Sequence, residues 1–145
     1  MLEFRPFYVQ HLIFITPQEE QKNLRHAMLS DEYAAALETG FGLSAWDGVT
    51  CVAAAGCIPI FKHRAVAWAL LSEDAGKHML AITRKVRRTM EMLEYTRIEI
   101  AVHSTFEAGN RFARMIGMKL ETPEPLKQHG AFGEDEYLYA KVKLS

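Results

Sequence analysis

The 145 residues carry 17 Lys and Arg against 18 Asp and Glu, a formal charge of -1 with His neutral, and 49% of them are hydrophobic and 24% charged. That balance belongs to a folded globular chain of one core; it excludes disordered and collagen-like classes, and it offers no general attraction to nucleic acid or anionic lipid. The longest uncharged apolar stretch, Cys51 to Phe61, has 11 residues and includes a proline, short of the roughly 20 that a membrane helix needs. Glu3 places an acid early, and the basic, apolar, small-residue order of a secretory leader is missing, so a cytoplasmic location is expected. Cys51 and Cys57 are six positions apart in an apolar run, the spacing of neither a zinc pair nor a redox pair, and read as buried reduced thiols.

In chain order, a first strand precedes two short helices. Thr16-Pro17-Gln18-Glu19 has a capping residue, a proline for the first turn and a glutamate three places after the cap, which predicts a helix from Pro17 to about Met28. Ser30, followed by Asp31 and Glu32, predicts a second helix that Gly40 would end. Leu43 to Trp46 and Val49 to Gly56 then flank Asp47-Gly48, predicting a hairpin with a type I′ turn. Ala65 to Leu71 is apolar at odd and even positions alike, the mark of a central strand covered on both faces.

From about Gly76 to Tyr95, Met79, Ile82, Val86, Met90 and Leu93 recur at spacings of 3, 4, 4 and 3, one face of a long helix. Arg97 to His103 alternates, with Ile98, Ile100 and Val102 opposed to Glu99, Ala101 and His103. A helix from Phe106 to Ile116 is predicted to end at Gly117, followed by a strand near Met118 to Glu121. The last strand, Glu136 to Leu144, sets Leu138, Ala140, Val142 and Leu144 against Tyr137, Tyr139, Lys141 and Lys143. A strand, long helix and strand in succession imply a parallel pair with a right-handed crossover inside a mostly antiparallel sheet. Such a pair can splay at one end and admit a ligand. Trp46, Trp68, Met79, Met90 and Met92 read as core or half-buried packing. No Ser/His/Asp arrangement and no metal-ligand spacing stands out among the six histidines, so no metal site is expected.

This order, the strand Ala65 to Leu71, the turn Ser72-Glu73-Asp74-Ala75-Gly76-Lys77-His78 and the helix ending in Gly117-Met118 together resemble the GNAT N-acetyltransferase superfamily over nearly the whole chain. Within it, Trp68-Ala69-Leu70-Leu71, the basic long helix, Arg111 to Met118 and Gly130-Ala131-Phe132-Gly133 look like a GNAT-like group of tailed phages and prophages, some of whose members are internal virion proteins. The resemblance implies a single α/β domain over residues 1–145: an acyl-CoA N-acyltransferase fold, with a central mixed, mostly antiparallel sheet and helices on both faces. It also implies acetyl-CoA as cofactor, with the backbone of Ala69, Leu70, Leu71 and Ser72 beside pantetheine and Asp74, Ala75, Gly76, Lys77 and His78 near the pyrophosphate. Amides at a helix N-terminus suit such an anion whatever the family. Aligned on Gly76, the family turn Gln/Arg-x-x-Gly-x-Gly/Ala places Glu73 and His78 at its ends, so only the central glycine matches; Gly76 and Asp74 as simple turn formers is the structural alternative.

Lys77, Arg84 and Arg88 share a stripe of the long helix that either attracts the CoA phosphates or is a solvated face; a nucleic-acid groove is disfavoured because no aromatics interleave. Transfer to an amine needs a neutral nucleophile, a polarised carbonyl and a proton donor for the departing thiolate. The family's usual tyrosine position corresponds to Ala113, and its common asparagine to Phe106. Substitutes are His103, at the end of its strand, and the phenols of Tyr137 and Tyr139, against structural readings of each; Glu107 and His129 are weaker candidates. Two functions follow: acetyl transfer to an amine acceptor that the sequence does not name, or a non-catalytic protein packaged in a phage particle and partnered by phage structural proteins.

Overall fold

The computed structural model describes residues 2–143. Among them, strands β1 (Leu2–Pro6), β2 (Gly42–Asp47), β3 (Thr50–Phe61), β4 (Arg64–Leu71), β5 (Arg97–His103), β6 (Lys119–Leu120) and β7 (Glu136–Val142) form a mixed seven-stranded sheet in the order β1-β2-β3-β4-β5-β7-β6. The helices are α1 (Lys22–Met28), α2 (Asp31–Leu37), α3 (Met79–Met92) and α4 (Glu107–Met115). The last strand was expected to reach Leu144, which lies outside the described residues. Two compact units divide the chain, Met1–Pro59 with Ala67–Ile82 and Ile60–Val66 with Thr83–Ser145.

In the first unit β1, β2 and β3 pair antiparallel, and their core gathers Phe7, Leu12, Ile15, Trp46, Trp68 and Leu70, with Leu24 of α1 and Tyr33 of α2 packed against it. The hairpin forms, but not around Asp47-Gly48: Asp47 pairs with Thr50, so the loop is Gly48-Val49. Of these two only Gly48 has positive φ, at 62°, the pattern of a type II′ rather than a type I′ turn.

The expected helix from Pro17 does not start there. Pro17 bridges Ser72, the Gln18 amide donates to the Leu71 carbonyl and the Glu73 amide to Thr16, so this segment pairs with the end of β4 and a 3-10 turn at Glu19–Gln21 opens α1. Gly40 does not cap α2 either, because the helix ends at Leu37. A Cβ on Gly40 would stand 1.9 Å from the Cys57 carbonyl oxygen, so this glycine is there for a backbone approach. Cys51 and Cys57 are free and buried, as expected.

In the second unit Arg64–Val66 of β4 pair parallel with Arg97–Glu99 of β5, the crossover anticipated from the strand, helix, strand succession. β5 has its expected ends, and Ile98, Ile100 and Val102 are buried on one face. β7 runs antiparallel to β5 with Val102 opposite Tyr137, Ile100 opposite Tyr139 and His103 opposite Glu136. Both faces of β7 are covered at mid-strand, since Tyr139 and Ala140 are buried in succession while Val142 is exposed. Gly117 closes α4 at φ 91°, the left-handed region that a side chain disfavours.

β4 buries Ala65, Trp68, Leu70 and Leu71, so residues of both parities are covered. α3 buries Ile82 and Met90 and begins one turn after Gly76, its first turn being 3-10. Met92, expected to pack, is 78% exposed, because the helix ends there and its side chain falls off the apolar face. No helix among the described residues is long and apolar enough to cross a membrane.

Candidate functional site

The edge of β4 and the turn after it lie within the first unit. Alternate residues of a strand point their backbone groups to opposite sides. The Ser72 amide donates to the Val52 carbonyl of β3 at 2.9 Å, so Ala69 and Leu71 present theirs to the other edge. There the Gln21 carboxamide meets them: its Nε2 donates to the Ala69 carbonyl at 2.9 Å and its Oε1 accepts from the Leu71 amide at 2.8 Å. The pair Ala69 C=O and Leu71 N–H thus holds one amide group by two hydrogen bonds. Nothing in the sequence pattern singled out Gln21, a polar residue in a stretch that read as a helix surface.

The turn is shaped by Ser72, whose Oγ accepts from the Asp74 amide at 3.0 Å, and by the Ala75 amide donating to the Ser72 carbonyl. Ser72 and Ala75 are buried, while Glu73, Asp74, Gly76 and Lys77 are exposed. A Cβ built on Gly76 would meet nothing within 4 Å, so this glycine leaves open space over the start of the helix. His78 is turned aside: its Nε2 lies 3.2 Å from Oδ2 of Asp47 at the β2–β3 hairpin. Lys77, Arg84 and Arg88 are all exposed.

The second unit holds the acid–base candidates and does not bring them together. The register puts His103 on the β5 and β7 face of Glu136, opposite to that of Tyr137 and Tyr139. His103 Nδ1 accepts from the Thr105 amide at 3.2 Å and lies 3.0 Å from the Thr105 hydroxyl. A backbone N–H can only donate, so Nδ1 is the acceptor and the neutral ring carries its proton on Nε2. Tyr139 is fully buried, its hydroxyl donating to Oδ1 of Asn110 at 2.7 Å, and burial pushes its phenol above the usual range. Asn110 Nδ2 in turn donates to the carbonyls of His103 at 3.1 Å and Phe106 at 2.8 Å, tying α4 to the end of β5. Asn110 was legible in principle, as a polar residue on the stripe shared by Phe106 and Ala113.

A cavity of about 560 Å³ opens in the same unit, floored by Val66, Ala101 and Leu138 and walled by Arg64, Arg97, Glu99 and His129. Burial raises the affinity of the Glu99 carboxyl for a proton, but hydrogen bonds and charge from Arg64 and Arg97 outweigh it and hold its pKa below the usual range. Arg97 continues to Glu121, Nη1 donating to Oε2 at 3.1 Å. His129 Nδ1 lies 2.8 Å from the Glu136 carboxylate. Glu107 is exposed at the start of α4. The described residues contain no group of three or more His, Cys, Asp or Glu able to hold a metal ion.

No protein-family model and no curated protein sequence matches the chain. Solved structures do. The ribosomal-protein-S5-alanine acetyltransferase of Vibrio fischeri superposes with a TM-score of 0.68 at 14% identity, over 98% of this chain and 93% of its own. The ribosomal-protein-S18-alanine N-acetyltransferase of Escherichia coli gives 0.70 at 13% identity, over 100% of this chain and 96% of its own. A GNAT-family acetyltransferase of Streptococcus pneumoniae gives 0.64 at 11% identity, over 99% and 100%. At such identities the likeness is one of architecture: the chain has the α/β fold of the GNAT acetyltransferases.

Proposed function

We propose that residues 1–145 act as one GNAT-like domain that transfers an acyl group, acetyl first of all, from acyl-CoA to an amine. The observation that carries this is the β4 edge of a GNAT fold already holding an amide on Ala69 and Leu71. The pantetheine arm is a chain of amides, and the same carbonyl and N–H would take one of them. Leu70 and Ser72 serve from behind, being buried and, through the Ser72 amide, fastened to β3. At the turn, Gly76 gives a phosphate room to approach and Lys77 and Arg84 supply charge, against Glu73 and Asp74; Ala75 and His78, whose amides donate to the Ser72 and Ala75 carbonyls, hold the turn in shape.

Bound acyl-CoA supplies the acyl group already activated as a thioester, so much of the work is positioning. His103 Nδ1 already accepts from the Thr105 amide, which leaves Nε2–H to donate a hydrogen bond to the charge developing on the thioester; the proton that ends on the departing thiolate is the one the attacking amine loses. Tyr137 is the alternative phenol. Tyr139 is a positioning residue, acting through Asn110 on the His103 carbonyl.

Calorimetry with acetyl-CoA and CoA at millimolar concentration, followed by acetyl transfer to a broad amine panel, tests the proposal. Heat and turnover are expected, with His103→Ala lowering turnover about 10²- to 10³-fold, the usual worth of one hydrogen-bond donor to developing charge. The absence of both heat and a thermal shift would sink it. A second reading, a non-catalytic particle protein of phage type, draws on Phe106 and Ala113, which are 4% and 1% exposed and serve packing where the family has chemistry. Detection in purified particles, with no transfer to any amine, would favour it. A cytoplasmic location in a bacterial host goes with the first reading.

A further inference from the structure

Residues Thr16 to Gln21 form a strap along the end of β4. Backbone pairs with backbone as far as Leu71: the Glu73 amide donates to Thr16 at 3.0 Å, and the Gln18 amide to the Leu71 carbonyl at 3.1 Å. The chain then turns into its 3-10 turn, Gln21 N–H donating to the Gln18 carbonyl at 2.8 Å, and leaves the edge. From there only a side chain continues the pairing. Gln21, 8% exposed, folds back to put its carboxamide on Ala69 and Leu71.

A carboxamide offers the donor and acceptor of a secondary amide. We propose that Gln21 is a built-in occupant of the amide subsite on β4, which an extended amide ligand must displace before it can pair with Ala69 and Leu71. This rests on the acyl-CoA reading for the identity of the natural ligand. The exchange is one amide for another, so hydrogen bonds are conserved and Gln21 regains rotamer freedom on leaving. The strap itself has other anchors. Arg25 Nη1 donates to the Ile15 carbonyl at 3.0 Å, and Pro17 bridges Ser72, so its backbone stays when the side chain swings out.

Gln21→Ala and Gln21→Met, the second keeping the length of the stem, test this in two measurements. In the ligand-free protein, amide exchange at Leu71 should quicken at least about tenfold in both variants, while Ser72, bonded to Val52, keeps its protection. Equal exchange at Leu71 in all three proteins overturns the proposal. Each protein is then titrated with N-acetyl-β-alanine N-methylamide and with CoA, following the Leu71 amide resonance. Freed of a competitor held by two hydrogen bonds, the variants should bind the diamide about tenfold or more tightly than the parent. Equal or weaker binding by a folded variant, or no diamide binding by any, overturns it. If the variants take up the diamide and no protein binds CoA, the gate stands and the acyl-CoA reading falls.

Discussion

Replacing Tyr139 by Phe removes one oxygen from a fully buried side chain and leaves its ring in place. The hydroxyl donates to Asn110 Oδ1 at 2.7 Å, and Asn110 is itself 7% exposed, so that oxygen would lose its donor out of reach of water. A buried acceptor left in that state costs about 1–3 kcal/mol, and we expect about 2 kcal/mol for Tyr139→Phe. Asn110→Ala should cost more, about 3 kcal/mol, because the Tyr139 hydroxyl loses its acceptor and the buried carboxamide leaves its space empty; the His103 and Phe106 carbonyls keep the backbone amides of Phe106 and Asn110, each at 3.0 Å. The double variant should then be little worse than Asn110→Ala alone, a coupling of about 1–2 kcal/mol. Urea unfolding followed by circular dichroism reads this as a midpoint shift of roughly 1 M for Tyr139→Phe. A loss under about 0.5 kcal/mol, or additive effects in the double variant, would refute the reasoning.

Four further outcomes are expected. Burial, and after it the charge of Arg5, lowers the His11 pKa below its usual 6.5; a base with a depressed folded pKa stabilises above its unfolded value and loses that contribution as pH falls through the folded one. Thermal midpoints should therefore drop between pH 7.5 and 5.5, and His11→Asn should flatten that part of the profile. Burial pushes the Cys51 thiol up to about 11, so iodoacetamide at pH 8 should leave it untouched in the folded protein and label it once urea unfolds the chain. Gly40→Ala should destabilise by roughly 3 kcal/mol, since its Cβ meets the Cys57 carbonyl at 1.9 Å and backbone cannot give way cheaply. Gly76→Ala, with open space around it, should melt like the parent yet bind CoA more weakly; unchanged CoA affinity would remove the turn from the proposed site.

Where a local pattern has one structural solution, the chain alone determined the outcome. β5 has its expected ends because strict alternation in Arg97–His103 suits only a strand with one apolar face. Gly117 closes α4 because its φ of 91° is one that other residues resist. The parallel crossover follows from element order and the handedness of such connections. That this α/β architecture is GNAT-like was legible through the resemblance of the strand Ala65 to Leu71, the turn at Gly76 and the helix ending in Gly117-Met118 to that superfamily.

What the tertiary structure alone decided concerns partners distant in sequence. Thr16-Pro17-Gln18-Glu19 is locally a good helix start, but pairing with Leu71–Glu73 satisfies the same backbone groups on a strand edge, and tertiary pairing outweighs a cap worth about 1 kcal/mol. Asp47-Gly48 is locally a good type I′ turn, yet the register with Thr50 moves the loop on by one residue. Gly40 looks like a helix cap and is needed instead for Cys57, 17 positions away. The proposed residues show the same division. Ala69 and Leu71 could be named from the GNAT resemblance and His103 from its place at a strand end, whereas Gln21 on the β4 edge and Asn110 bonded to Tyr139 are specified by hydrogen bonds spanning 48 and 29 residues, and no periodicity along the chain records such a distance.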